Sequence, residues 1–220
     1  MRMRKKSWAL PFIEEHREYV IAKPEEMRGK WRELLGIPQE GVLHVEIGCG
    51  KGDYFLKMRE LYPQDGFVAI EKDPNCAAVA AKKALDMEHD RTIMIQADAK
   101  DIDQWFNEGE VDILHLNFSD PWPKKNHTKR RLSSDSFLTK YASLLKEEGI
   151  LAMKSDNQKL FEFSVLQFMK EGWQLKEFSV NFDSEASNDA ISEYEMRFRE
   201  LGQPIYRLAV CKPNRSKENV

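Results

Sequence analysis

Three glycines, Gly48, Gly50 and Gly52, stand within five residues, after a β-rich run (42–47) and before a stretch that can form a helix. Glycine at such a corner lets the chain turn tightly and approach a ligand closely. An acid, Glu71, ends the next β-rich run (67–70), 23 residues after Gly48. An acid there can accept both hydroxyls of a ribose, which suits dinucleotides and adenosyl groups alike. The dinucleotide pattern G-x-G-x-x-G asks for a third glycine where this chain has Asp53. A carboxylate at a helix N-terminus repels the pyrophosphate that would bind there and competes for the same N–H groups. The loop therefore favours a nucleoside ligand without phosphate: S-adenosylmethionine. Asp98 and Ala99 follow a third run (92–96) and offer a carboxylate and a backbone N–H to an adenine edge. Glu46 beside the loop can balance a positive ligand or act as a structural acceptor. A plain strand-to-helix turn is the competing reading of the whole loop.

A second constellation is Ser119-Asp120-Pro121-Trp122-Pro123-Lys124-Lys125. Two prolines fix the backbone on either side of Trp122. A stiff aromatic beside a carboxylate suits a flat heterocycle that is stacked and held by its edge. The competing reading is a surface turn with Trp122 packed in the core. The run 124–131, which holds Asn126, His127 and Thr128, carries five cations and no acid: Lys124, Lys125, Lys129, Arg130 and Arg131. Its place after the base-handling loop points to phosphate contact, against a merely solvated surface. Arg2, Arg4, Lys5 and Lys6 can extend the patch. His16, His44, His89 and His115 lie far apart in the sequence without a partner motif and receive no chemistry. Cys49, Cys76 and Cys211, odd in number and scattered, give neither a disulfide framework nor a zinc site, so no metal is expected.

These residues need a scaffold. Short apolar runs at 42–47, 67–70, 92–96, 111–118 and 150–153 alternate with helical stretches at 53–61, 74–85, 136–146 and 158–171. That alternation predicts βαβ units around a parallel sheet. In such sheets the ligand crevice lies at the carboxyl ends of the strands. Glu46 sits in the first run beside its exit, and Glu71, Asp98, Asp120 and Asp156 follow the ends of the next four. Burying so many acids is costly, so they should line one shared polar site. Before the first run the spacing predicts an irregular basic arm, about 1–23, and a helix over 25–35 opened by Pro24. Two more β-rich runs, 174–182 and 205–211, flank a polar stretch.

The chain of 220 residues has 34 Lys+Arg and 37 Asp+Glu, a formal net charge of −3, with 41% hydrophobic residues. That balance excludes a disordered chain, and no apolar run approaches the length of a membrane span. One domain over 1–220 in the cytoplasm is expected. The net acidity cuts against a strongly basic nucleic-acid binder, so the local patch must supply the field. The aromatic arm near 8–12 can serve a homodimer, RNA or the protein's own surface.

The motifs together are similar to those of one family. Val45-Glu46-Ile47-Gly48-Cys49-Gly50-Lys51-Gly52, Asp120-Pro121-Trp122-Pro123-Lys124, His127-x-Lys129-Arg130-Arg131, Lys154-Ser155-Asp156 and Ser192-Glu193-Tyr194-Glu195 resemble the bacterial tRNA (guanine-N7-)-methyltransferases. The resemblance runs from about residue 11 to 213. The glycine motif is shared by many methyltransferases; the Asp-Pro-Trp-Pro block is far more specific. The resemblance implies a class I methyltransferase fold, Rossmann-like, with a seven-stranded, mostly parallel sheet whose last strand is antiparallel. It implies S-adenosylmethionine as cofactor and a variable-loop guanosine of tRNA as target. Carried over by position, Glu46, Glu71, Asp98 and Asp120 fall at cofactor-site positions. Lys124, Asp156, Ser192, Glu193, Tyr194 and Glu195 fall at substrate-site positions, and 126–131 at the RNA-contacting segment. The family's late motif usually begins with Thr; Ser192 keeps the hydroxyl. Asp120 is the first candidate to steady the cationic product base, Asp156 the second. The alternatives are a methyltransferase acting on another RNA or an amine, a noncatalytic RNA-binding module and a nicotinamide-dependent oxidoreductase.

Overall fold

A computed structural model describes residues 5–88, 90–184 and 187–213. The expected contributions of Arg2 and Arg4 lie outside the described residues, as does His89. The strands are β1 (Val20–Ile21), β2 (Leu43–Ile47), β3 (Gly66–Ile70), β4 (Thr92–Ile95), β5 (Val111–Asn117), β6 (Leu145–Ser155), β7 (Gln174–Ser179) and β8 (Tyr206–Cys211). The helices are α1 (Ala9–Glu15), α2 (Trp31–Leu34), α3 (Asp53–Leu61), α4 (Pro74–Asp86), α5 (Asp135–Leu144), α6 (Gln158–Lys170) and α7 (Glu193–Glu200). The strands form one sheet in the order β1-β4-β3-β2-β5-β6-β8-β7. β1 to β6 pair in parallel. β8 inserts antiparallel between β6 and β7.

The sheet has eight strands rather than the expected seven. The addition is β1, two residues of the N-terminal arm that hydrogen-bond to the outer edge of β4. The arm is thus fastened: Ala9 and Ile13 of α1 and Val20 are buried with the alanines of α4. The helix expected over 25–35 also differs. Pro24 opens only a 3-10 turn, Pro24–Met27, and α2 follows. Gly29 between them sits at φ +77°, a left-handed conformation that ends one turn before the next begins. β6 starts at Leu145, five residues earlier than the apolar run at 150–153 indicated, because α5 passes into it directly.

Side chains alternate across the sheet. Leu43, Val45 and Ile47 of β2, Leu114 and Leu116 of β5, and Leu151 and Met153 of β6 face one side. There they share a core with Leu138, Tyr141 and Leu144 of α5 and with Leu160, Phe161 and Phe168 of α6. The residues between them face the other side, which α1, α3 and α4 cover. On that side the inner strands carry His44, Glu46, His115, Asn117 and Lys154, all buried. No helix among the described residues is long and apolar enough to cross a membrane.

Candidate active site

The parallel run β1 to β6 brings Glu46, Glu71, Asp98, Asp120 and Asp156 to one edge of the sheet. The glycine loop leaves β2 with Gly48 and Cys49 both donating to the Ile70 carbonyl (2.8 and 3.1 Å). Gly48 and Gly50 have positive φ, and a Cβ on either would meet nothing within 4 Å. A side chain there would project into open space, the room a ligand needs. Gly52 differs: at φ +85°, its Cβ would press within 2.9 Å of Ala80 on α4. Gly52 is therefore required for packing, and it occupies the N-cap of α3. Asp53 is the first helical residue, and its carboxylate pairs with Lys83 at 2.6 Å.

Glu71 braces this loop. Its carboxylate accepts from the Gly50 N–H (3.0 Å) and the Asp73 N–H (2.8 Å). Burial pushes its pKa upward, against those hydrogen bonds. Asp98 is exposed and accepts from the Lys100 N–H at 3.1 Å, while Ala99 behind it is buried. Asp156 is half-buried, and burial raises its pKa. Glu46 is 4% exposed. One carboxylate oxygen accepts from Asn117 Nδ2 at 3.0 Å. Burial, only partly offset by that bond, pushes its pKa up to about 7.

The loop after β5 is conformationally unusual at both ends. Phe118 and Trp122 have φ of +51° and +41°, values that cost a bulky residue free energy. Arg131 holds the loop in place: its guanidinium donates to the Pro121 carbonyl (3.0 Å) and the Trp122 carbonyl (3.1 Å) and lies over Phe163. Arg131 is thus turned inward as a strut. Trp122 is half-buried and not in the core. Arg130 lies 5.0 Å and Lys72 5.9 Å from its ring centroid, with His127 edge-on at 5.6 Å. Asp120 is exposed, as are Lys124, Lys125, Asn126, Lys129 and Arg130; His127 and Thr128 are half-buried. Residues 125–130 wind into a 3-10 turn that fans these side chains outward.

The late motif divides. Ser192 caps α7 by accepting the Glu195 N–H at 3.1 Å. Glu193 and Tyr194 are exposed, Glu193 bridging to Lys51 of the glycine loop at 2.8 Å. Glu195 is fully buried, bound to Lys154 (2.7 Å), Arg199 and Ser184. Lys154 Nζ also reaches the Ala190 carbonyl (2.8 Å) and Asp189 (3.2 Å). Asp189 in turn takes Tyr54 Oη (2.6 Å) and Arg207 (3.0 Å).

Two of the histidines given no chemistry, His44 and His115, turn out to be neighbours. His44 Nδ1 and His115 Nε2 are 2.9 Å apart, and His115 Nδ1 is 3.1 Å from Tyr54 Oη. Burial keeps the His115 pKa well below its ordinary value. Asn117 was missed by sequence reasoning because a lone asparagine at a strand end carries no local signal. Register supplies one: Glu46 pairs with His115, so Asn117, two residues on, shares its face.

This edge and this strand order define a methyltransferase fold. The 16S rRNA methyltransferase KamB superposes with a TM-score of 0.60 at 15% identity, covering 82% of this chain and 92% of that one. An antibiotic-related methyltransferase gives 0.59 at 13% identity, covering 83% and 92%. A family model described as "Putative methyltransferase" matches residues 40–208. The tRNA (guanine-N(7)-)-methyltransferase of Geobacillus kaustophilus is 40% identical over 98% of this chain and 99% of its own length. That of Streptococcus mutans is 38% identical over 94% and 98%. The chain belongs to the tRNA (guanine-N(7)-)-methyltransferase family.

Proposed function

We infer that this protein methylates N7 of a guanosine in tRNA, using S-adenosylmethionine. One observation carries the reading most directly. Lys72, the residue after Glu71, has its ammonium 5.9 Å from the Trp122 ring. The acids suited to an adenosyl ligand and the loop suited to a base are therefore side by side. The donor fits the residues present: open space beside Gly48 and Gly50, a braced Glu71 for ribose hydroxyls, and free acceptor atoms at Glu46 and Asn117. Glu46, Glu71, Asp98 and Ala99 would hold it, and when bound it supplies an electrophilic methyl group.

The chain's own task is then positioning and electrostatics. Guanine N7 has an in-plane lone pair and no proton, so no strong base is required. The methylated base is cationic. Asp120, exposed at the strand end beside Trp122, can hold the guanine edge and favour the charge as it develops. Asp156, Lys124 and the exposed Glu193 and Tyr194 complete the substrate side. Lys125, Asn126, Thr128, Lys129 and Arg130 would meet phosphate, giving the binding its salt dependence. Fixed geometry of this kind supplies several kcal/mol of barrier lowering.

Radiolabelled methyl transfer to unmodified tRNA, followed by nucleoside analysis, tests the reading: 7-methylguanosine is expected, and another methylated nucleoside or none would refute it. In the same assay Asp120→Asn should lose mainly turnover while keeping cofactor affinity; a wild-type rate would remove Asp120 from the chemistry. Lys129→Ala should lower the slope of tRNA affinity against log salt by about 1.

A further inference from the structure

Three buried polar side-chain atoms at the strand ends have no hydrogen-bond partner among the described residues: Glu46 Oε2, Asn117 Oδ1 and Ser119 Oγ. Glu46 and Asn117 are 4% and 8% exposed. Unsatisfied groups at such depth are costly and call for an explanation. An ionised carboxylate only accepts, so Asn117 must turn its NH2 toward Glu46, as it does at 3.0 Å. That leaves one free acceptor on each residue.

Nearby donors cannot fill them. Lys154 has three N–H groups and three acceptors: Ala190, Glu195 and Asp189. Both nitrogens of His115 are engaged by His44 and Tyr54. Glu46 is thus a buried carboxylate without a cation of its own, two residues from the glycine loop. A group that fits must bring several donors and positive charge. A ribose hydroxyl brings no charge, and a ligand carboxylate would be repelled. A primary ammonium meets both conditions.

We propose that Asn117 is a binding residue for the methyl donor, its Oδ1 and Glu46 Oε2 forming a paired acceptor for the amino group of the donor's methionine moiety. The proposal rests on the reading that the ligand is an adenosyl donor, and adds the residue that recognises its amino-acid end. The ionisable groups facing Glu46 are Lys154 of β6, Asp189 ahead of α7, Glu71 after β3, Cys49 of the loop and Tyr54 of α3. Since burial holds Glu46 partly protonated near neutral pH, an arriving ammonium should drive a proton off it.

Isothermal titration with S-adenosylhomocysteine and with 5′-methylthioadenosine, which lacks the amino-acid end, tests this. Asn117→Leu should weaken S-adenosylhomocysteine tenfold or more and leave methylthioadenosine within twofold. Equal loss for both ligands, or loss for neither, overturns the proposal. A second measurement needs no variant, and so stands if Asn117→Leu fails to fold. At pH 6.5, in two buffers of different ionisation heat, the wild-type protein should release a fraction of a proton on binding S-adenosylhomocysteine and none on binding methylthioadenosine. Equal release, or none, overturns it. A wild-type protein that binds neither nucleoside overturns the adenosyl reading itself, an outcome distinct from the others.

Discussion

The two faces of the central strands solve opposite problems. Toward α5 and α6, β2, β5 and β6 present Val45, Leu114, Leu116, Leu151 and Met153, a core held by area alone. Toward α3 and α7 the same strands present His44, Glu46, His115, Asn117 and Lys154, a face held by mutual pairing. Burial of apolar area is non-directional and tolerates imperfect neighbours. Buried charge is not tolerant: its desolvation is offset only when each partner is present. The cost of a substitution is therefore set by lost area and volume on one face and by specific partners on the other. At the carboxyl edge the pairing stops short, leaving Glu46 and Asn117 with free acceptors.

Truncations on each face test that contrast. Lys154→Ala leaves Glu195 and Asp189 buried without their shared cation and should destabilise by about 3–5 kcal/mol in urea unfolding. A loss below 1 kcal/mol would mean that water or Arg207 takes over, and the ionic face would be softer than described. Leu151→Ala on the apolar face should cost about 2–4 kcal/mol through lost burial and a cavity, with no dependence on pH or salt. A salt-dependent cost would blur the distinction.

Glu46→Gln should act with the opposite sign. Burial raises the Glu46 pKa from 4.5 to about 7. The folded state thus holds this proton more tightly than the unfolded chain. Its contribution is fully present below pH 4.5 and lost as pH rises through 7. Glutamine keeps the shape without the charge. At pH 8 the ligand-free variant should be more stable than wild type, by about 3 kcal/mol from the size of the shift, and equal to it near pH 4. Thermal melts across that range measure it. No stabilisation at pH 8 would mean that Glu46 already has a compensating partner without ligand. Smallest of all, Lys51→Ala should change stability by less than about 1 kcal/mol, since its bridge to Glu193 is exposed.

Sequence order and composition were enough for the alternation of strands and helices, because apolar runs of strand length stand between capped amphipathic stretches. They were also enough to bring Glu46, Glu71, Asp98, Asp120 and Asp156 to one edge, because strands that run in parallel all leave the sheet on the same side. The motif spacing carried the family as well. Other features depended on contacts between distant residues. β1 is too short to show a period and exists only because β4 offers it an edge. Arg131, one of five cations in the eight residues 124–131, becomes a strut only where the carbonyls of Pro121 and Trp122 converge on it. Glu195 reads as a polar helix residue yet is buried, since Lys154 and Arg199 meet it from other parts of the chain. Local chemistry sets backbone preference and periodicity, which a string of residues displays. Which charge is buried against which partner depends on register between strands, and that exists only once the sheet has formed.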